Sequence, residues 1–327
     1  MAFNEPLPEG RSAGRFYDGM RIRPLGTLGG ATTFVNALNN FEQVTGHSSF
    51  DATGLVHAFR WSPAMGMVDL GTTRNGDESE GYDINNMGEV AGVVRFPDDR
   101  PARAVLWRPG ERPLDLGLTR GVTGALYIND RGQVAGTTFD GTGRPQAFRW
   151  SRTERAVLLD EPGVFSAEVR DMNALGQVTG SHGNTPEGGL IPFLWTPGQE
   201  FLPLFDRAAF PFAMNDAGMV VGVLLDQIAF AWSRADGLTI LGLAGGGFSN
   251  AYDVNNHGVV VGQAQNGNAL HAFLWTREGG MVDLNDRVIP QSNGFELTLA
   301  FEINDQGTIL VHTTDGSLVL LVPVQGA

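Results

Sequence analysis

One phrase recurs through this chain at near-constant intervals, and a repeat of that length leaves few architectures open. It reads Ile84-Asn85-Asn86-Met87-Gly88-Glu89-Val90-Ala91-Gly92, and returns as Ile128-Asn129-Asp130-Arg131-Gly132-Gln133-Val134-Ala135-Gly136 and as Val254-Asn255-Asn256-His257-Gly258-Val259-Val260-Val261-Gly262. Its anchor asparagines are Asn39, Asn85, Asn129, Asn173, Asn215, Asn255 and Asn304, spaced 46, 44, 44, 42, 40 and 49 residues apart. Each of the first six anchors is followed by a motif of the type Ala-Phe-x-Trp, from Ala58-Phe59-Arg60-Trp61 to Ala272-Phe273-Leu274-Trp275, and these motifs hold all 6 tryptophans. A third motif closes units, as in Asp69-Leu70-Gly71 and Asp115-Leu116-Gly117.

Each piece reads as a strand. The Asn-x-x-Gly step suits a type I turn whose last residue takes the left-handed conformation, with the asparagine capping the turn and glycine accepting positive φ. Ala-Phe-x-Trp alternates and is aromatic, which fits a pleated surface better than a helix. No convincing amphipathic helix lies between the units. Four short strands, a to d, in roughly 40–45 residues is the period of a propeller blade, whereas a β-helix coil repeats in about half that length. The sequence therefore predicts an all-β, seven-bladed β-propeller of four-stranded antiparallel blades.

The chain ends sharpen this. The seventh unit stops after Leu321-Val322-Pro323-Val324 with no d strand, while Met20-Arg21-Ile22-Arg23-Pro24-Leu25-Gly26 resembles a spare one. The expectation is that strand 20–26 completes the last blade and closes the ring, covering exposed sheet edges. Residues 1–19 are then an N-terminal extension, and 20–327 a single propeller.

Composition removes whole classes of chemistry. The 327 residues include no cysteine, and all 22 basic residues are arginine. Disulfides, thiolate catalysis, cysteine zinc sites, Schiff-base lysines and a Walker lysine are excluded. The formal net charge of −14 argues against nucleic acid or an anionic membrane as partner and favours cationic ligands. No apolar leader core stands in 1–23 and no stretch approaches the length of a membrane span, so a soluble monomer is expected. HExxH, GxSxG, GxGxxG and P-loop signatures are absent.

The phrase IN-x-x-G-x-V-x-G, the tripeptides His57-Ala58-Phe59 and His271-Ala272-Phe273, and the closing run Leu25-Gly26-Thr27-Leu28-Gly29-Gly30 together resemble the HAF-repeat family of bacterial, predicted extracellular proteins. The resemblance runs from about Leu25 to Val324. Glu42 stands where the turn glycine belongs, and Val311 where the second glycine belongs. The resemblance implies a propeller and a secreted or periplasmic location. It supplies no catalytic residue.

Candidate site residues follow from the propeller register. The residue before each anchor is apolar, Leu38, Ile84, Ile128, Met172, Met214, Val254 and Ile303, and is expected to pack between sheets. Alternation then turns the preceding residue, Ala37, Asp83, Tyr127, Asp171, Ala213, Asp253 or Glu302, toward the channel. Four carboxylates, Asp83, Asp171, Asp253 and Glu302, would repel unless a hard cation such as calcium, an arginine or water sat among them, or backbone amides held them. Arg74, Arg120 and Arg207 fall in the d-to-a loops of the top face, and His47 and His312 in b strands. The tryptophans read as packing between blades.

These features favour a non-catalytic scaffold that recognises a protein, peptide or glycan on the top face. The alternative is a propeller hydrolase, lactonase or lyase with a metal or His/Asp centre at the channel mouth.

Overall fold

The computed structural model describes residues 2–6, 12–17, 22–50, 54–74, 76–98, 100–159, 164–185, 190–199, 201–242, 247–287, 295–315 and 318–323. These divide into two compact units, Met1–Asp160 and Glu161–Ala327. The described residues are all-β apart from one turn of 3-10 helix at Leu284–Asp286. Blade one comprises Thr33–Leu38, Val44–Ser49, Val56–Ser62 and Gly66–Asp69, paired in that order as an antiparallel sheet. Blades two and three follow, with a strands at Glu78–Ile84 and Val122–Ile128. The second unit holds blades four to seven, with a strands at Ser166–Met172, Ala209–Met214, Ser249–Val254 and Leu297–Ile303. Blades one to six are four-stranded, and blade seven has three described strands, ending at Leu318–Leu321.

The turns form as the repeat demands. Gly88, Gly132, Gly176, Gly218, Gly258 and Gly307 have φ between 66° and 77°, and Glu42 reaches 59° at the same step. A side chain in that conformation costs about 1–2 kcal/mol.

The a strands depart from simple alternation. In six of the seven blades the pairing of strands a and b slips between the fourth and second residues before the anchor, for instance between Gly81 and Asp83 and between Ala251 and Asp253, while in blade three the break runs from Thr123 to Tyr127. This is a β-bulge, and it leaves the residue three before the anchor as the extra, unpaired one. The second glycine of the repeat exists because of it. A Cβ at Gly46, Gly92, Gly180, Gly222 or Gly262 would lie only 1.9–2.1 Å from a carbonyl oxygen of the facing a strand.

Hydrophobic burial follows the motifs. Phe59, Phe148, Phe193, Phe230 and Phe273 of the c strands are fully enclosed, and Trp61, Trp107, Trp150, Trp232 and Trp275 are buried. Clusters run from blade to blade: Ala91, Leu106 and Leu116 of blade two pack with Ile128, Phe148 and Trp150 of blade three. Of the residues before the anchors, Ile84, Ile128, Met172, Met214, Val254 and Ile303 are buried, but Leu38 is 38% exposed, which corrects its expected packing role.

The N-terminal expectation is also corrected. Ile22–Pro24 does form a strand, but its partner is Ser12–Tyr17, which pairs in turn with Ala2–Pro6. The extension read as 1–19 therefore supplies strands itself, and 22–24 is the third strand of this sheet; residues 20 and 21 lie outside the described set. Pairing across a few residues has a far smaller loop-closure cost than pairing across the whole chain. Phe16 and Leu25 carry the sheet onto blade one, where they pack with Val35, Val44, Phe59 and Trp61.

Candidate functional site

The anchors are inter-blade ties as well as turn caps. The Asn85 carboxamide oxygen accepts from the backbone amides of Met87 and Glu89, closing its own turn. Its Nδ2 donates to the Asn129 carbonyl of the next blade at 3.0 Å. The same reach joins Asn39 to Asn85, and Asn173, Asn215, Asn255 and Asn304 in succession. Sequence reasoning found the cap; the second bond crosses to another repeat and leaves no local signal.

Three of the four candidate carboxylates do the same work. Asp83 accepts from its neighbour Ile84 and from Ile128 of the next blade, both at 2.8 Å. Asp171 accepts from Met172 and Met214 at 2.7 Å, and Asp253 from Val254 and Ile303 at 2.8 Å. The aspartates occupy alternate blades for a physical reason: together they take up the amides before six of the anchors. A carboxylate at Tyr127 or Ala213 would find its neighbouring amide already engaged. Burial pushes Asp83 up in pKa against the pull of its two amide donors. The same balance raises Asp253 to about 6. Among the described residues no three His, Asp or Glu side chains gather as a metal ion would require.

Glu302 differs. The Ile303 amide beside it belongs to Asp253, and no hydrogen bond or salt bridge reaches Glu302 among the described residues. Its surface is open to water. Crowding by protein, then the nearby Asp253 carboxylate, pushes it up to about 7.

The histidines separate into two kinds. His57 and His271 of the tripeptides bond Asp69 and Asp283 across strands c and d, at 2.9 and 2.5 Å. His47 and His312 lie on b strands and stack against a-strand rings, His47 on Phe34 at 4.9 Å and His312 on Phe301 at 5.1 Å. Burial lowers the pKa of both, so they stay neutral at neutral pH. The Nδ1 of His47 is buried without a hydrogen-bond partner among the described residues. Beside it, Glu80 is held by Arg95 at 2.5 Å and by the Tyr82 hydroxyl at 3.0 Å. Burial pushes Glu80 up, but the Arg95 guanidinium outweighs this and holds it below the usual range.

Arg74 and Arg120 are exposed, and Arg207 pairs with Asp226. Tyr127 is half-buried on the a strand of blade three. Loop residues 160–163, 186–189, 243–246 and 288–294 lie outside the described set.

Sequence reasoning missed the row that the bulge creates three residues before the anchors. It contains Tyr82, Phe212, Tyr252 and Phe301, all half-buried, and Phe212 stacks on Tyr252 across blades five and six at 5.5 Å. The signal was present: a glycine repeated inside a strand marks a bulge or a close backbone approach.

No family model matches the chain, and no curated protein matches it. Solved structures do. A prolyl endopeptidase is similar at 11% identity and a TM-score of 0.57, over 90% of this chain and 50% of that one. A puromycin-hydrolyzing peptidase of Mycobacterium tuberculosis is similar at 11% identity and 0.54, over 89% and 52%. The β-propeller domain of the Trilobed protease from Pyrococcus furiosus, described as having an open velcro topology, is similar at 10% identity and 0.52, over 88% and 99%. The chain thus spans about half the length of the two peptidases and nearly all of the isolated propeller domain. At this identity the likeness shows the fold: the chain is a β-propeller.

Proposed function

We propose that this chain is a non-catalytic binding scaffold that recognises a protein, peptide or glycan along the first strands of its blades and the loops at their ends. The observation that carries this reading is where the reactive side chains are spent. Asp83, Asp171 and Asp253 hold backbone amides, and His57 and His271 hold aspartates. Hydrogen bonds of this kind fix a framework and leave no nucleophile paired with a base. The partly open surface that remains is aromatic, with Tyr82, Phe212, Tyr252 and Phe301 in one repeat position. Rings with one face enclosed and one open supply contact area at small entropic cost, as binding surfaces require. The resemblance to the HAF-repeat family, which implies no catalytic residue, supports the same reading.

The test is a paired screen of the purified chain against glycan and peptide arrays and against ester, lactone and peptide substrates. The scaffold reading expects saturable binding, weakened by Tyr252→Ala, and no turnover. Turnover that is lost in His47→Ala or His312→Ala would overturn it in favour of a hydrolase.

A further inference from the structure

The c and d strands carry a pattern of their own, and blade five breaks it. The residue before each tryptophan pairs with a d-strand residue: Arg60 with Val68, Leu106 with Leu114, Arg149 with Val157, Leu194 with Leu202, and Leu274 with Val282. Each pair sets a long side chain beside a branched apolar one. In blade five the pair is Ala231 and Thr239, one short and the other polar. Elsewhere the long side chain spans the gap to the next blade. Arg60 donates to the Gly88 carbonyl at 2.8 Å, and Leu194 lies 3.8 Å from where a Cβ on Gly218 would stand. At the matching Gly258 the nearest such neighbour is the Met219 sulfur, at 3.7 Å, because Ala231 does not reach that far.

The truncation leaves a cleft of about 160 Å³ between blades five and six. A void of about 150 Å³ holds a benzene ring, so a six-membered ring fits a space of this size. Trp232 and Trp275 wall the cleft, and Met219 and Ala231 complete its apolar side. Both indoles are buried, which holds the walls in place. Thr239, Ser233, Asp236 and Arg277 line the remainder. Asp236 accepts from the Ser233 hydroxyl at 2.6 Å and from the Arg277 guanidinium, which crosses from blade six. These walls select a ligand. A hydrocarbon would cover the Thr239 hydroxyl and offer it no partner. An ion would have to compete with a carboxylate–guanidinium pair that already neutralises itself. A neutral ring with C–H faces and hydroxyl edges satisfies both sides. Its polarised C–H groups meet the electron-rich indoles, and its hydroxyls donate to Asp236 and accept from Arg277.

We propose that the cleft between blades five and six is a carbohydrate site that takes one pyranose residue of a glycan, with its ring against Trp232 and Trp275 and its hydroxyls on Asp236, Arg277 and Thr239. Apart from Met219, the site is built on c and d strands and their turns, away from the a strands on which the scaffold reading places its surface. Either site can therefore fail without the other. The Ser233 hydroxyl, and after it Arg277, hold the Asp236 carboxyl below the usual carboxylate range. Asp236 is thus an acceptor from mildly acidic to basic pH, and binding is independent of pH over that span.

The probes are methyl glucoside, methyl galactoside, methyl mannoside and methyl fucoside, with cyclohexanol and tetramethylammonium as apolar and cationic comparisons. The readout is the indole N–H resonances of the 6 tryptophans. At least one glycoside should shift Trp232 and Trp275 saturably, and equally at about pH 5.5 and about pH 8, while Trp61, Trp107 and Trp150 of the first unit stay in place. Ala231→Leu gives blade five the residue of blades two, four and six; it should fill the cleft and abolish the shifts with the melting temperature kept. Thr239→Val, the residue of blades one, three and six, should weaken binding about fivefold through one lost hydrogen bond, and Asp236→Ala should weaken it about tenfold or more. No saturable shift with any glycoside, shifts that persist in Ala231→Leu, or tighter binding of cyclohexanol or tetramethylammonium would each overturn the proposal. Glycoside binding lost in Tyr252→Ala but kept in Ala231→Leu would overturn the cleft and leave the scaffold reading standing.

Discussion

Replacing Asp83 tests how neighbouring blades are held together. Its two carboxylate oxygens satisfy the amides of Ile84 and Ile128, each at 2.8 Å, inside a sheet-to-sheet seam. Asp83→Asn keeps one acceptor oxygen and turns an NH2 toward the other amide, leaving one buried N–H without a partner at a cost of about 1–3 kcal/mol. Asp83→Ala leaves both amides unsatisfied, for about 2–6 kcal/mol by the same reasoning. Relief of the buried charge, whose pKa burial raises, offsets part of this, so the asparagine variant should sit near the lower end. Urea unfolding followed by the fluorescence of the flanking Trp107 and Trp150 gives the magnitude, and amide exchange gives the location. Protection should fall at Ile84 and Ile128 first, with the Asp171 and Asp253 bridges of the second unit unaffected. Both variants within about 0.5 kcal/mol of wild type, a surface-substitution effect, with unchanged exchange at Ile128, would refute the bridging role.

Other consequences are equally direct. Ala213→Asp places a carboxylate between two amides already taken, Met214 by Asp171 and Val254 by Asp253; it should destabilise by about 1–3 kcal/mol at neutral pH, less after acidification, whereas Ala213→Ser should be tolerated. Phe16→Ala should cost about 3–5 kcal/mol, because the ring is 1% exposed and meets Trp61 at 5.1 Å; a neutral effect in thermal melting would show that the N-terminal sheet does not dock on blade one. Asp253 and Glu302 bind protons more tightly folded than unfolded, so their contribution to stability is present below about pH 4 and is lost as pH rises through about 6 to 7. Urea midpoints should therefore be higher at about pH 5 than at about pH 7.5, and Glu302→Gln should flatten the difference; a steady increase toward pH 7.5 would contradict it.

The blades were legible because their signals are local. Asn85 and Gly88 define a turn by themselves, and Phe59 with Trp61 marks a strand without reference to any partner. What the sequence concealed is what crosses between repeats or breaks their period. The bulge interrupts each a strand, so alternation counted back from the anchor fails at Tyr82 and Tyr252, and the aromatic row went unseen although Gly92 and Gly262 marked the close approach. Asp83 and Glu302 read alike in sequence because their difference lies in which amide is already occupied. The strand at Ile22–Pro24 was recognisable by its motif, but a motif does not name a partner, and the nearer Ser12–Tyr17 takes it.

A side-chain carboxyl and amide NMR titration tests the central claim that Asp83, Asp171 and Asp253 build the framework by holding backbone amides of the next blade. Asp253 should titrate at about 6 and Asp83 above the ordinary aspartate range, and the amides of Ile303 and Ile128 should shift together with the carboxylates that accept from them. Aspartates that titrate in the ordinary range, with those amides unmoved, would contradict the account.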